Sequence, residues 1–215
     1  MYTPHHLVKH PDQPCFYTIE SDNNTLPPEL RAQLIAESAK ADDKDGSEED
    51  SKGLLPPEEF GYPRGRGRWA SCVGVVDSLG EQVIQKVHLE GNEAATSAAV
   101  VPFTSQDNES FLILIVGTGK DMVINPRQFS RGYLYVYRFH QDGRELEFIH
   151  ETEVEEPPTT LVSFPGRLAV GIGKMLRIYD LGLKQMLRKP DANVAPQLIV
   201  SLQSQGNRFI VGDVQ

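Results

Sequence analysis

The stretch Phe111-Leu-Ile-Leu-Ile-Val116-Gly117-Thr-Gly119-Lys120 contains a pattern that occurs three times in the chain. An apolar run that ends in Val-Gly is found again at residues 167–171 and 208–212. The glycines of successive copies lie 54 and then 41 positions apart. A spacing of roughly 40 to 50 residues is typical of a chain that repeats one four-stranded propeller blade. The sequence therefore predicts an all-β fold, a β-propeller with WD40-like blades.

Further apolar runs surround each copy and complete a four-stranded antiparallel unit. Third strands end in an apolar or aromatic pair followed by a charged residue, as in Val75-Val76-Asp77 and Ile178-Tyr179-Asp180. This is typical of a strand that leaves a buried sheet for a solvated turn. The predicted strands, blade by blade, are residues 7–10, 15–21, 69–77 and 82–89; 94–103, 111–117, 133–139 and 145–152; 159–164, 167–171, 176–181 and 185–189; and 197–203 and 208–212.

The strand count gives about three and a half blades. Propellers usually close with about 4 to 8 blades, and a blade buries both of its faces only against neighbours. The last predicted blade has two strands before the sequence stops at Gln215. We therefore expect this sequence to be a segment of a longer protein, whose remaining segments complete the propeller.

An acidic insertion interrupts the first blade. Residues 20–60 include 12 acidic and 4 basic residues, whereas the rest of the chain has 18 acidic and 17 basic residues. Such a stretch has too little apolar surface to offset the entropy lost on ordering. We predict that residues 1–21 are the first strands of a blade, residues 22–68 a disordered acidic insertion with at most one short helix at 28–40, and residues 69–215 the remaining blades.

Two glycine-rich segments resemble pieces of a phosphate-binding loop. They are Gly117-Thr-Gly119-Lys120 and Gly171-Ile-Gly173-Lys174. A complete phosphate-binding loop also needs an earlier glycine and a Ser or Thr after the lysine, and both segments lack these residues. We interpret both as tight β turns, so the sequence predicts no cofactor.

Other groups of chemically active residues are too sparse to define a site. The run Arg64-Gly-Arg66-Gly-Arg68 has the composition of a single-strand nucleic-acid contact, but a solvated loop that re-enters the sheet is the simpler interpretation. Three histidines lack the Cys or carboxylate partners of a zinc site. Three glutamates before Pro157 are typical of a charged connection between blades, and two cysteines do not make a disulfide framework. These residues are His5, His6 and His10; Glu153, Glu155 and Glu156; and Cys15 and Cys72.

The sequence therefore predicts no catalytic, cofactor-binding or metal-binding residue, and thus no enzyme. It also has no apolar run approaching the ~20 residues that span a bilayer.

Several longer stretches carry a family resemblance. They are residues 89–95, 120–127 and 146–156, and above all Gly166-Arg-Leu-Ala-Val-Gly-Ile-Gly-Lys-Met-Leu-Arg-Ile-Tyr-Asp-Leu-Gly182. These stretches resemble a family of large multi-propeller proteins. The family comprises the third subunit of splicing factor 3b (SF3b), the large subunit of the UV-damaged-DNA-binding complex and the large subunit of the cleavage and polyadenylation specificity factor. Asn125-Pro126-Arg127 and Val154-Glu155-Glu156-Pro157 favour the splicing branch.

The resemblance implies a function as well as a fold. The splicing branch is a non-enzymatic scaffold in the nucleus, within the SF3b complex of the U2 small nuclear ribonucleoprotein (U2 snRNP), and it supports branch-site recognition and spliceosome assembly. Its implied partners are a HEAT-repeat SF3b subunit, a small helical SF3b subunit and other U2 snRNP proteins, with mainly indirect RNA association and no membrane contact. This segment would begin the third of three propellers. The family offers no short contact motif, so the resemblance assigns no partner-binding residue.

Two alternative functions are left open. The nearer one is a scaffold of the same family, in a cullin ubiquitin ligase for DNA repair or in mRNA cleavage and polyadenylation. The more distant one is a propeller enzyme such as a glycosidase, which would need convergent carboxylates at the centre of the ring.

Overall fold

A computed structural model describes residues 2–27, 29–30, 32–33, 36, 64–80, 82–104 and 110–214 of the chain. This part is built almost entirely of β-strands. The strands are β1 (Pro4–Lys9), β2 (Cys15–Thr25), β3 (Arg64–Asp77), β4 (Gln82–His88), β5 (Glu93–Thr104), β6 (Ser110–Lys120), β7 (Arg131–His140), β8 (Glu145–Val154), β9 (Pro158–Phe164), β10 (Arg167–Ile172), β11 (Met175–Asp180), β12 (Leu187–Asn193), β13 (Ile199–Gln205) and β14 (Arg208–Asp213). One 3-10 turn, Gln141–Gly143, joins β7 to β8.

The described strands form four antiparallel sheets in chain order, β1–β4, β5–β8, β9–β12 and β13–β14. The first strands of the sheets contact one another, whereas β4, β8 and β12 lie at the outer edges of theirs. This is the arrangement of propeller blades around a central axis. The prediction of a partial β-propeller, with three full blades and half of another, is confirmed.

Strand boundaries differ from the predicted ones mainly in the first blade. β2 continues to Thr25 and β3 begins at Arg64, so the sheet extends into the region predicted as insertion. Residues 29–30, 32–33 and 36 are helical, within the predicted helix at 28–40. The acidic run at 42–50 lies outside the described residues, and its predicted disorder stays a prediction.

The recurrent Val-Gly reflects close contact between strands. A Cβ added to Gly117 would lie 2.5 Å from the Ser97 hydroxyl oxygen and 2.9 Å from the Pro158 Cβ. A Cβ added to Gly171 would lie 2.7 Å from a Thr160 methyl group. Real Cβ atoms do not approach other atoms so closely, because interiors are already packed to crystal-like density. Glycine is therefore required where the second strand of a blade faces the innermost strands.

The interpretation of both glycine-lysine segments as tight turns is right for one copy only. Gly173 and Lys174 form the turn between β10 and β11, and Gly173 has a φ of +55°. In the second blade the corresponding segment lies within β6, because β5 and β7 both continue to pair with it as far as Lys120. The turn of that blade is therefore displaced to residues 121–130.

Hydroxyl side chains join each blade to the next near the axis. Each hydroxyl donates a hydrogen bond to a backbone carbonyl of the following blade's first strand. The pairs are Ser21 with Ala95, Ser97 with Pro158, and Thr159 with Ile199. Hydrogen bonds of this kind hold neighbouring sheets together and also fix the distance between them.

Two apolar clusters fill the spaces between the described blades. One lies between the first and second sheets, around Tyr17, Val75, Leu114 and Tyr137. The other lies between the second and third sheets, around Phe103, Ile115, Val136 and Leu168. Cys15 and Cys72 are buried free thiols.

Candidate interaction surface

The described blades present their connections on two opposite faces. One face carries the connections between blades (residues 89–92, 155–157 and 194–198) together with the β6–β7 turn and the β10–β11 turn. We call it the connector face. The β1–β2, β7–β8, β9–β10 and β11–β12 turns lie at the other ends of the strands, on the opposite face. Turns held on a rigid ring are the usual place for binding residues in such folds.

The β6–β7 turn, residues 121–130, is the longest described turn of the connector face. Its first residue is fixed from two sides: Asn92 Nδ2 donates to Asp121 Oδ1 at 2.8 Å, and Ser130 Oγ donates to Asp121 Oδ2 at 2.8 Å. These hydrogen bonds, above all that from Asn92, lower the pKa of Asp121. Asp121 and Asn92 both have positive φ, a conformation that Asp and Asn adopt more readily than other non-glycine residues. The base of the turn is therefore tied to the preceding connection.

The rest of the turn is held by its neighbours. Trp69 Nε1 donates to the carbonyl of Met122 at 2.7 Å, and Val123 and Gln128 pair as an isolated β-bridge. Arg127 pairs with Glu156 at 2.9 Å. The two segments that favoured the splicing branch, around Arg127 and around Glu156, thus meet in space. Within the turn, Arg127 also lies over the Phe129 ring, 4.9 Å from its centre, and the Asn125-Pro126 peptide bond is cis.

Two apolar side chains at the tip of this turn are exposed. Val123 is 40 % exposed and Ile124 is 66 % exposed. Both lie in the stretch 120–127, and the sequence analysis did not single them out. The available signal was an apolar pair placed between a turn-forming aspartate and an Asn-Pro pair.

A buried arginine connects the second and third blades close to the same face. The guanidinium of Arg177 donates to Glu155 at 2.6 Å and to Asp191 at 3.3 Å, and it contacts the Tyr179 hydroxyl. The hydrogen bond from Arg177 lowers the pKa of Glu155. The connection between blades is therefore held against β11 by a charged contact.

A buried carboxylate joins three strands of the second blade, because Glu93 lies in β5 and its two partners lie in β6 and β7. Glu93 Oε2 accepts hydrogen bonds from Thr118 Oγ1 at 3.0 Å and from Tyr135 OH at 2.7 Å. Burial raises the pKa of Glu93. No cation pairs with it among the described residues, so the two hydroxyl donors are what hold it in place.

The histidines and the arginine run that the sequence analysis singled out lie in the first blade. His5 and His6 lie in β1, and His10 is buried and accepts backbone hydrogen bonds from Asp12 and Gln13 through Nδ1. No group of three or more potential metal ligands occurs among the described residues. Arg68 is exposed, whereas the side chains of Arg64 and Arg66 lie outside the described residues.

A broad cleft lies on the opposite face. It has a volume of about 920 Å³ and lies between the first two blades, with His10, Phe111, Phe139 and Asp142 in its wall. His10 in this wall is already engaged by backbone N–H groups, which points to a structural role.

Among the described residues, no helix has the length and apolar character to cross a bilayer.

The fold and its faces define this chain as a set of propeller blades that hold turns on a rigid frame. Residues 70–215 match the family model described as the CPSF A subunit region. This match covers more than half of the chain, and the chain therefore belongs to that family.

Similar proteins have names from pre-mRNA splicing. The chain is 64 % identical, over its whole length, to pre-mRNA-splicing factor rse1 of Neurospora crassa, of which it covers 17 %. It is 64 % identical to pre-mRNA-splicing factor RSE1 of Pyricularia oryzae, over 100 % of this chain and 17 % of that protein. It is 38 % identical to splicing factor 3B subunit 3 of Danio rerio, over 100 % of this chain and 18 % of that protein. The chain thus spans about a sixth of the length of these relatives, and its resemblance to the splicing branch is confirmed.

Proposed function

We propose that this chain is part of a non-enzymatic protein scaffold in pre-mRNA splicing, within the SF3b complex of the U2 snRNP. The observation that carries the proposal is the 64 % identity over the whole chain to pre-mRNA-splicing factor rse1. The scaffold supports branch-site recognition and spliceosome assembly.

The physical basis of scaffolding is a stiff ring with fixed turns. Hydroxyl bridges near the axis join neighbouring blades. The contacts of Glu93 hold three strands of the second blade together, and Arg177 ties the connection at Glu155 to β11. Turns supported in this way lose little conformational entropy when a partner binds, and the affinity is correspondingly higher. The blades thus act by holding partners in a fixed relative position.

The proposed partners are a HEAT-repeat SF3b subunit, a small helical SF3b subunit and other U2 snRNP proteins, in the nucleus. RNA is associated mainly through these proteins. Outside residues 20–60 the chain has 18 acidic and 17 basic residues, and on the connector face Arg127 and Arg177 are paired with carboxylates. Direct binding to phosphates instead requires clustered and available Lys and Arg.

Affinity purification of the full-length protein from nuclear extract tests this proposal. We expect a HEAT-repeat protein and U2 small nuclear RNA in the eluate. At salt high enough to screen phosphate contacts, the RNA should be retained only while the protein partner is retained. A matched purification after RNase treatment should keep the protein partners.

Other results of the same purification would redirect the assignment. Recovery of a cullin would favour the ubiquitin-ligase scaffold, and recovery of polyadenylation factors would favour the mRNA cleavage scaffold. Tight, salt-resistant RNA binding by the purified protein alone would contradict the indirect mechanism.

A further inference from the structure

His10 forms part of the wall of the cleft on the opposite face, between the first two blades. The side chain is only 5 % exposed. Its ring packs against Tyr17 and meets the Phe139 ring edge-on, with 4.9 Å between the ring centres. Nδ1 accepts hydrogen bonds from the backbone N–H groups of Asp12 and Gln13, each at 3.2 Å. The ring is therefore fixed in position and cannot turn without losing both hydrogen bonds.

These contacts determine which ring nitrogen of His10 carries the proton. A nitrogen that accepts hydrogen bonds holds no proton, so the neutral ring carries its hydrogen on Nε2. Burial lowers the pKa of His10, which keeps the ring neutral at physiological pH. Nε2 lies beside Gly143 in the cleft wall, 3.5 Å from the position of a Cβ added there. Among the described residues no acceptor reaches Nε2. The cleft therefore contains a hydrogen-bond donor of fixed direction.

The same cleft has an apolar surface. Phe111, at the start of β6, is 40 % exposed, and Leu112 and Phe139 are half-buried in the wall. Ligand pockets are mostly apolar, with a few polar groups that fix the orientation of the ligand. The donor on His10 and the ring of Phe111 together fit a ligand that has an acceptor oxygen next to an apolar group.

The charges of the wall indicate what kind of oxygen this donor meets. Arg138 and His140 both contact the carboxylate of Glu147, at 3.6 and 2.7 Å. Asp12 and Asp142 have no ion-pair partner in the part of the chain that the structure describes. The wall together with Glu147 is therefore negative whether or not His140 is protonated, which opposes a phosphate or a carboxylate. A neutral acceptor is favoured instead, and a backbone carbonyl is the one that every peptide presents beside its side chains.

We propose that this cleft binds a peptide segment of another protein subunit of the assembly, through a hydrogen bond from His10 Nε2 to a backbone carbonyl and an apolar side chain packed on Phe111. The inference rests on the proposed function and deepens it, because it names a site at which the scaffold holds a protein partner. A volume of about 920 Å³ is in the range of ligand pockets and accommodates a few residues of a peptide. Turns on a rigid ring are also where such folds bind other molecules.

Two substitutions of His10 in the full-length protein separate the roles of the two ring nitrogens. His10→Asn places an amide oxygen near the position of Nδ1, so it keeps an acceptor for the turn and removes the donor. His10→Gln brings an amide N–H near the position of Nε2 and removes the acceptor. Hydrogen exchange of the amides of Asp12 and Gln13 reports whether the turn is intact. Their protection should be retained in His10→Asn and lowered in His10→Gln.

The recovery of a partner should follow the donor and not the turn. In quantitative mass spectrometry of purified complexes, His10→Asn should lower the recovery of one protein partner by about fivefold, as the loss of one hydrogen bond implies. His10→Gln should recover more of that partner than His10→Asn, despite its less protected turn. The reverse order would overturn the proposal, because the ring would then be only structural. Recovery at the level of the unmodified protein with both variants would overturn it as well.

A benzophenone amino acid in place of Phe111 identifies what occupies the cleft. We expect a cross-link to a peptide of the partner that His10→Asn loses. The same probe in place of Phe148, which is 51 % exposed in the outer strand β8 of the same blade, is the control and should not yield that peptide. A cross-link from position 111 to RNA, or to another segment of the same protein, would refute the inference.

The identity of the cross-linked partner separates this inference from the proposed function. A polyadenylation or cullin-ligase subunit cross-linked at position 111 would preserve the site and refute the splicing assignment. Copurified splicing proteins without a cross-link at position 111 would preserve the assignment and refute the site.

Discussion

Replacing Gly117 by alanine is expected to destabilise the second blade by about 2–3 kcal/mol, because it inserts an atom into a filled space. The new Cβ would lie 2.5 Å from the Ser97 hydroxyl oxygen, 2.9 Å from the Pro158 Cβ and 3.1 Å from the Pro158 carbonyl oxygen. The Ser97 hydroxyl cannot turn away without losing its 2.8 Å hydrogen bond to that carbonyl. Relief therefore requires the second and third blades to separate.

Hydrogen exchange of the full-length protein measures this effect locally. The amides of β5, β6 and β9 should exchange faster in Gly117→Ala, while distant propellers are unchanged. Gly80→Ala is the matched control. Gly80 lies in the β3–β4 turn with a normal backbone conformation, and the nearest atom to its added Cβ is 3.7 Å away. Equal protection of the second blade in the two variants would contradict the account of the Val-Gly repeat.

Replacing Arg177 by alanine is expected to cost about 2–3 kcal/mol in the third blade. That value is below the usual cost of breaking a fully buried ion pair, because the side chain of its partner Glu155 is 61 % exposed. The variant removes the contacts with Glu155 and Asp191 and leaves the buried hydroxyl of Tyr179 without its donor. Arg188→Ala is the matched control. Arg188 reaches the same two carboxylates but is 52 % exposed, so its loss should cost about 0–1 kcal/mol.

The pH dependence provides an independent readout of the Arg177 contact. Arg177 lowers the pKa of Glu155 in the folded state, so this contribution to stability is present above the ordinary glutamate pKa. It is lost as the pH falls through the lowered value. The hydrogen-exchange protection of β10 and β11, corrected for the intrinsic exchange rate at each pH, should therefore change less between neutral and acidic pH in Arg177→Ala than in the unmodified protein. An unchanged pH profile in Arg177→Ala, or a loss of stability no larger than in Arg188→Ala, would show that Arg177 does not hold the connection between the blades.

The strands were largely predictable from the sequence, because their apolar runs and turn residues are local signals. The same local reasoning failed at Gly117-Thr-Gly119-Lys120, where glycine marks close contact with a neighbouring strand and the turn begins later. The boundary of the first blade was also misplaced, since polar residues such as Asn23 and Thr25 belong to β2 through pairing with a strand far along the chain.

The candidate surface was less predictable because its contacts join distant positions. The contact of Arg127 with Glu156 spans 29 residues, and Trp69 reaches Met122 across 53. Nothing in the local sequence around Arg177 distinguishes a buried arginine from a solvated one. Its partners come from distant positions, Glu155 from the connection after β8 and Asp191 from β12.

Acute depletion of the full-length protein, followed by sequencing of nascent and polyadenylated RNA, shows whether the protein is a scaffold in pre-mRNA splicing. We predict that unspliced introns accumulate within the time of depletion while transcripts are still cleaved and polyadenylated at their normal 3′ ends. Reintroduction of the unmodified protein should restore splicing. Normal intron removal with transcripts that read through their 3′ cleavage sites would contradict the account.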